Sequence, residues 1–223
     1  MVHHLRPTNN RRIFRKIRHD RRKTIRMGYS SEGGPRIMTK VTNVSWLVTG
    51  SMSALSIPGL IFSLRSSHPN LNFTPYLTQS ASRIVTMTSM ATLSGVTPRN
   101  SDWGSEPEAT PSHIQIESES DAYLIAPATL DFLARFARYD CSTPFSLALQ
   151  CTKKPILVAP SLPPGGKDSI AYKSLSMDLL KWENLRLLSP IETKSASSPN
   201  ASSSGFGSAT RLIEFMLENL QGT

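Results

Sequence analysis

Three short apolar runs constrain the fold more than any other feature of this sequence: residues 45–49 (SWLVT), 121–126 (DAYLIA) and 155–159 (PILVA). Each is strand-length, and apolar side chains fall on both parities rather than on one. A strand of that kind is buried on both faces, which is the habit of parallel sheets covered by helices. Each run is followed by turn-forming residues: Gly50-Ser51, Pro127, and the loop 160–166. Helical spacing then resumes. Ile57, Leu60, Ile61 and Leu64 predict a helix over 53–66; Leu130, Leu133, Ala134 and Ala137 predict one over 129–138; a third covers 170–180. Strands alternating with helices imply an α/β, Rossmann-like three-layer fold, a parallel sheet with helices on both faces.

The intervening segments read less sharply. Residues 71–77 predict a strand despite Pro75, and 78–93 a helix with Ala81, Ile84, Val85 and Thr88 on one stripe. Residues 97–112 read as a loop, and 113–116 (HIQI) alternate like a strand. The run 121–126 ends as a strand at Pro127. Phe145, Leu147, Ala148 and Leu149 mark a further helical segment, and 185–188 a short strand. Residues 195–208, rich in Ser and Gly, read as mobile. Leu212, Ile213, Phe215, Met216 and Leu220 give 211–220 the pattern of an amphipathic helix.

The net charge of +9 suggests a nucleic-acid binder until its distribution is considered. Residues 1–43 carry 12 Lys/Arg against 2 Asp/Glu, and residues 44–223 carry 13 against 14. The basicity thus belongs to an N-terminal arm, 1–43, read as solvated and disordered, and 44–223 form the folded domain. An arm of this kind attracts nucleic acid or acidic peptides only through non-specific electrostatics. No charged residue occurs from 41 to 64, which resembles a signal anchor. Thr49, Gly50, Ser51, Ser53, Ser56, Pro58 and Gly59 make it too polar for a spanning helix, so it reads as strand, turn and helix, with no membrane role. Two cysteines, Cys141 and Cys151, form no disulfide framework, so a reducing cytoplasm is expected. Both read as small buried hydrophobes. Cysteines and histidines are too scattered for a metal site.

In open parallel sheets, ligands bind beyond the carboxyl ends of the strands. The residues at those ends are therefore the candidates. Gly50-Ser51 would let backbone N–H groups and hydroxyls approach a phosphate, although many α/β proteins turn with Gly-Ser. Thr78-Gln79-Ser80-Ala81 places hydroxyls at a second strand-to-helix junction. His113 stands before the apolar run 121–126, and histidine is the side chain suited to proton transfer near neutral pH. Trp103 lies in the loop beside it, where it would cover a ligand.

Taken in order, VTGSMSA (48–54), LTQSA (77–81), HIQIESESDAYLIAPATLDFLARFA (113–137) and KPILVAPSL (154–162) resemble the homo-oligomeric flavin-containing Cys decarboxylases. That family includes lantibiotic-type peptidyl-cysteine decarboxylases and phosphopantothenoylcysteine decarboxylase. The resemblance implies FMN, or FAD, held by Gly50, Ser51 and Ser53 with Thr78, and by Ala128, Thr129 and Asp131. It implies His113 as the catalytic base. The substrate implied is a peptide ending in cysteine: the thiol loses its proton to His113, a hydride passes from Cβ to the flavin, and CO₂ leaves to give an aminoenethiol. Homotrimers, or homododecamers built from them, are implied as well. Two departures stand out. Asp131 occupies the place of an asparagine, and an ionised Asp accepts hydrogen bonds but donates none. Where the family has Pro-x-Met-Asn-x-x-Met-Trp, residues 160–167 read PSLPPGGK. Pro160, Ser161 and Leu162 keep the start of a substrate site, and Pro163 replaces its asparagine. The substrate carboxylate then falls to Lys167 as a point charge or to the Gly165-Gly166 backbone. These departures fit a divergent peptide substrate. They fit equally a non-catalytic flavin-binding partner subunit, and they count against the coenzyme A enzyme.

Overall fold

The computed structural model describes residues 41–105, 108–194 and 202–220. The described residues belong to one compact unit, Lys40–Thr223. The basic arm proposed for 1–43 lies outside the described residues up to position 40. Thr42 and Asn43, its last two members, already belong to the first strand.

Six strands form one parallel sheet: β1 (Thr42–Val48), β2 (Leu71–Leu77), β3 (Arg99–Asn100), β4 (Ala122–Thr129), β5 (Ile156–Ser161) and β6 (Leu185–Leu187), in the order β3-β2-β1-β4-β5-β6. The apolar runs became the central strands because both of their faces are covered. Along β1, Val44, Trp46 and Val48 enter one core cluster and Leu47 the other. In β5, Leu157 and Ala159 face the first, Ile156 and Val158 the second. Successive side chains point to opposite sides of a strand, so both parities must be apolar. Each fully buried large side chain contributes roughly 1.5–3 kcal/mol.

Helices α1 (Ile57–Ser67), α3 (Met87–Ser94) and α8 (Ala209–Leu220) cover the first face, through Ile57, Leu60, Ile61, Leu64, Met90, Leu212 and Met216. Helices α4 (Ser112–Glu119), α5 (Leu130–Ala137), α6 (Pro144–Cys151) and α7 (Ile170–Leu179) cover the second. The strand order reverses between β1 and β4, and there the connections change face. That switch point opens a crevice at the carboxyl edge of the sheet.

Several boundaries differ from the sequence reading. Pro75 is tolerated inside β2 because β3 pairs only with Tyr76 and Leu77, so β2 is an edge at Pro75. The single helix expected over 78–93 is two, α2 (Gln79–Ser82) and α3, because the Thr86 hydroxyl accepts the Ser89 N–H (3.1 Å) and starts a new helix. The strand expected at 113–116 is α4 instead: Ile116 is 3% exposed and Ile114 51%, whereas alternation would have placed both on one face. β4 does not stop at Pro127 but continues through a cis Ala126-Pro127 bond and pairs again with β5 at Ala128 and Thr129. The mobile segment expected over 195–208 is corrected in its described half. Ser202–Gly205 is strand β8, antiparallel to β7 (Ile191–Lys194), and Leu162 bridges to Ser204. Residues 195–201 lie outside the described residues. Among the described residues, no helix is long and apolar enough to cross a membrane.

Candidate functional site

The crevice is closed at its base by one threonine. Thr49, just past β1, donates its hydroxyl to the Pro127 carbonyl (2.6 Å) and accepts the Thr129 N–H (3.0 Å). At 2% exposure this hydroxyl ties β1 to the end of β4, with no water to replace either bond. The next residue is Gly50, where an added Cβ would collide with the Ser80 Cβ. Only glycine lets the β1 turn lie this close to the turn after β2. Ser51 follows and caps a 3-10 turn (Met52–Ser56) by accepting the Ser53 N–H (3.3 Å).

Hydroxyls converge from distant parts of the chain. Ser51 and Ser161 share a hydrogen bond of 2.7 Å, and Ser53 and Ser161 a longer one of 3.4 Å. Ser161, assigned to the substrate from sequence, therefore stands beside the serines assigned to the cofactor. Thr78 caps α2, accepting the Ala81 N–H (3.2 Å) and donating to the Val48 carbonyl (3.4 Å). Thr129 caps α5, accepting the Phe132 N–H (3.3 Å), and Ala128 is fully buried beneath it. Gly50, Ser51, Ser53, Thr78, Ala128 and Thr129 thus all stand at the carboxyl edge of β1, β2 and β4.

A cavity of about 200 Å³ opens at Thr78, the one of these six residues in its wall, with Ser80, Asp102, Arg135 and Asp140. Arg135 is held from two sides. Its Nε and Nη2 donate to Asp131 Oδ2 (3.2 and 3.0 Å), and its Nη1 donates to Asp140 Oδ2 (3.4 Å). Asp131 does not line the cavity; its side chain is 76% exposed and turned back along α5 to this arginine. Asp131 is thereby given a counter-charge one helical turn away.

His113 lies on the first turn of α4. Its Nδ1 is buried and has no hydrogen-bond partner among the described residues. A second cavity, of about 240 Å³, is flanked by its helix neighbours Ser112, Gln115 and Ile116, and Asp102 lines both cavities. Trp103 packs edge-to-face on the imidazole, with ring centroids 5.9 Å apart. Burial raises the pKa of the Tyr76 phenol in the second cavity, against the opposing pull of the Arg99 guanidinium, whose Nη1 lies 3.1 Å from the hydroxyl.

After β5 the chain is organised differently. Pro160 is buried, and Leu162 is 3% exposed and pairs with Ser204. The Gly166 N–H donates to the Pro163 carbonyl (2.8 Å), so this backbone group is already engaged. Lys167 is exposed, lines neither cavity and has no ion-pair partner among the described residues. Both cysteines, expected to be buried, are exposed: Cys141 follows the turn after α5 and Cys151 ends α6.

Sequence reasoning missed Thr49, Arg135 and Asp140. Thr49 had a signal, being a polar residue directly after an apolar strand and before a glycine turn. The spacing of Asp131 and Arg135 was a second signal, for an ion pair on one helix face. Nothing local pointed to Asp140, whose role depends on the α5–α6 turn folding back.

The family model described as Flavoprotein matches residues 35–217. The cypemycin cysteine dehydrogenase (decarboxylating) of Streptomyces sp is 32% identical over 117 residues, 52% of this chain and 61% of that protein. The coenzyme A biosynthesis bifunctional protein CoaBC of Haemophilus influenzae is 30% identical over 115 residues, 52% of this chain and 28% of that protein. The matches therefore span about three-fifths and just over a quarter of these two curated relatives. The crystal structure of the FMN-dependent cysteine decarboxylase SpaF has the same fold, with a TM-score of 0.64 at 22% identity, over 78% of this chain and 97% of that one.

Proposed function

The chain belongs to the flavoprotein family, and from that premise we propose that it binds FMN and oxidatively decarboxylates the C-terminal cysteine of a peptide to an aminoenethiol. The observation that carries this reading is the convergence of Gly50, Ser51, Ser53, Thr78 and Thr129 at the carboxyl edge of the sheet. A glycine turn that excludes a Cβ, helix N-termini and a set of hydroxyls suit a phosphate and the polar edge of a flavin. Ala128 and Thr129 flank that edge, and Asp131 supports it through Arg135.

When bound, FMN supplies a two-electron acceptor. His113 takes the proton of the cysteine thiol. Oxidation at Cβ places a C=S group beta to the carboxylate, and that group accepts the electron pair released as CO₂ departs. Lys167, exposed and without an ion-pair partner among the described residues, provides the counter-charge for the incoming carboxylate, in the same segment as Pro160, Ser161 and Leu162. A cavity of about 200 Å³ is smaller than the roughly 300–1,000 Å³ of small-molecule sites. A homotrimer, or a homododecamer built from trimers, would supply the missing wall. The reaction belongs to the cytoplasm, in a peptide-modification pathway of the lantibiotic type.

Purified protein incubated with a peptide ending in cysteine is expected to yield a product lighter by CO₂ and two hydrogens in mass spectrometry. His113→Asn is expected to retain FMN absorbance and lose turnover. Protein that takes up no flavin, or peptide of unchanged mass, overturns the reading. The similarity to a coenzyme A biosynthesis protein supports a second reading, decarboxylation of phosphopantothenoylcysteine. That compound is therefore run in parallel, and its conversion in place of the peptide's would decide for it.

A further inference from the structure

An imidazole that moves protons is normally oriented by a hydrogen bond from one ring nitrogen to a carboxylate or carbonyl. Half-buried His113 lacks that restraint at its buried Nδ1, which has no hydrogen-bond partner among the described residues. What faces the ring is Trp103, at 5.9 Å between centroids and 71° between planes. Trp103 is itself 50% exposed and sits in the loop before α4, so burial alone does not fix it. Its indole Nε1–H donates to the Ser142 carbonyl (2.8 Å). Ser142 is in turn locked onto Asp140: its N–H donates to Oδ1 (2.9 Å) and its hydroxyl to Oδ2 (3.1 Å). Asp140 lines the first cavity and receives Arg135. An unbroken series of contacts thus runs from the wall of the proposed flavin cavity, through the α5–α6 turn, to the imidazole.

From this we infer that Trp103 is a positioning residue for His113, anchored to the cofactor cavity through Ser142 and Asp140. It sets the ring's orientation by packing, without a hydrogen bond to Nδ1. An ordinary histidine–carboxylate bond would occupy that nitrogen, whereas an edge-to-face ring contact restrains the imidazole without consuming a donor or acceptor. The geometry also accounts for a half-exposed tryptophan whose indole N–H is nonetheless fully engaged. This inference rests on the proposed role of His113, but the contact can be tested separately.

The test uses the full-length, FMN-loaded protein and the variants Trp103→Phe and Trp103→Ala. The ring protons of His113, assigned by their loss in His113→Asn, are followed by NMR, and kcat and KM are measured with a peptide ending in cysteine. Removing the indole is expected to shift the His113 resonances through the lost ring current. It is expected to lower kcat by about 10- to 100-fold, as misplacement of a reacting group does, with KM little changed. Trp103→Phe keeps an aromatic wall without its anchor and should lie between wild type and Trp103→Ala on both readouts. Unchanged His113 resonances in Trp103→Ala, or a loss confined to KM, would overturn the inference. If the peptide is not a substrate at all, the proposed activity fails, while the resonances still report whether Trp103 holds the ring.

Discussion

At the carboxyl ends of β1 and β4 the polar groups are tied across the sheet, whereas the turn after β5 closes on its own backbone and leaves its cation in solvent. Thr49 bonds to both Pro127 and Thr129, and Ser51 reaches Ser161 from 110 positions away. The 163–166 turn bonds to itself, and Lys167 has no ion-pair partner among the described residues. The first region couples β1, β4 and β5 through hydroxyls that few substitutions can replace, whereas a turn that bonds to itself can change without disturbing the sheet.

If the first region is locked as described, the harshest test is Gly50→Ala. The new methyl meets Ser80, and overpacking of this kind costs roughly 1–3 kcal/mol. FMN affinity measured by fluorescence quenching is expected to fall about 10- to 100-fold, in line with that cost. An unaltered affinity would mean that the two turns separate freely. Thr49→Val comes next. It keeps the shape but leaves the Thr129 N–H without its acceptor, at about 1–3 kcal/mol. The expected result is a lower denaturation midpoint with an unchanged m-value; loss of FMN without loss of stability would shift the residue's role from tie to ligand. The smallest effect belongs to the second region. Lys167→Ala removes one exposed charge, worth about 1 kcal/mol or less, so KM for the peptide should rise by no more than about fivefold, on the same scale. The difference should shrink as salt is added, since exposed charges are screened. A larger rise would show that assembly buries this lysine.

The central strands were legible because burial on both faces leaves a mark on consecutive residues, and runs such as PILVA admit few other readings. Helix α4 was misread because four residues, HIQI, satisfy alternation and helical spacing alike; the environment of Ile114 and Ile116 decides, and sequence does not state it. The β7–β8 pair escaped because Ser202, Ser203 and Ser204 carry no apolar pattern, and main-chain bonds to Ile191–Lys194 hold them. At the site, the glycine turn and the histidine were visible as local motifs. The hydroxyl network was not, because Ser51, Ser161 and Thr129 meet only through the sheet's strand order. The spacing of Asp131 and Arg135 suits an ion pair, but sequence could not show that this pair turns Asp131 away from the cavity wall.

Helix α8 carries a consequence for how the protein comes to be made. Leu212, Met216 and Leu220 seal the same sheet face as Trp46 and Leu124. During synthesis from the amino end, those central strands emerge long before their cover. The nascent domain therefore spends most of its translation with the part of that face left by α1 and α3 uncovered, and a chain cut short of Leu212 would keep it exposed.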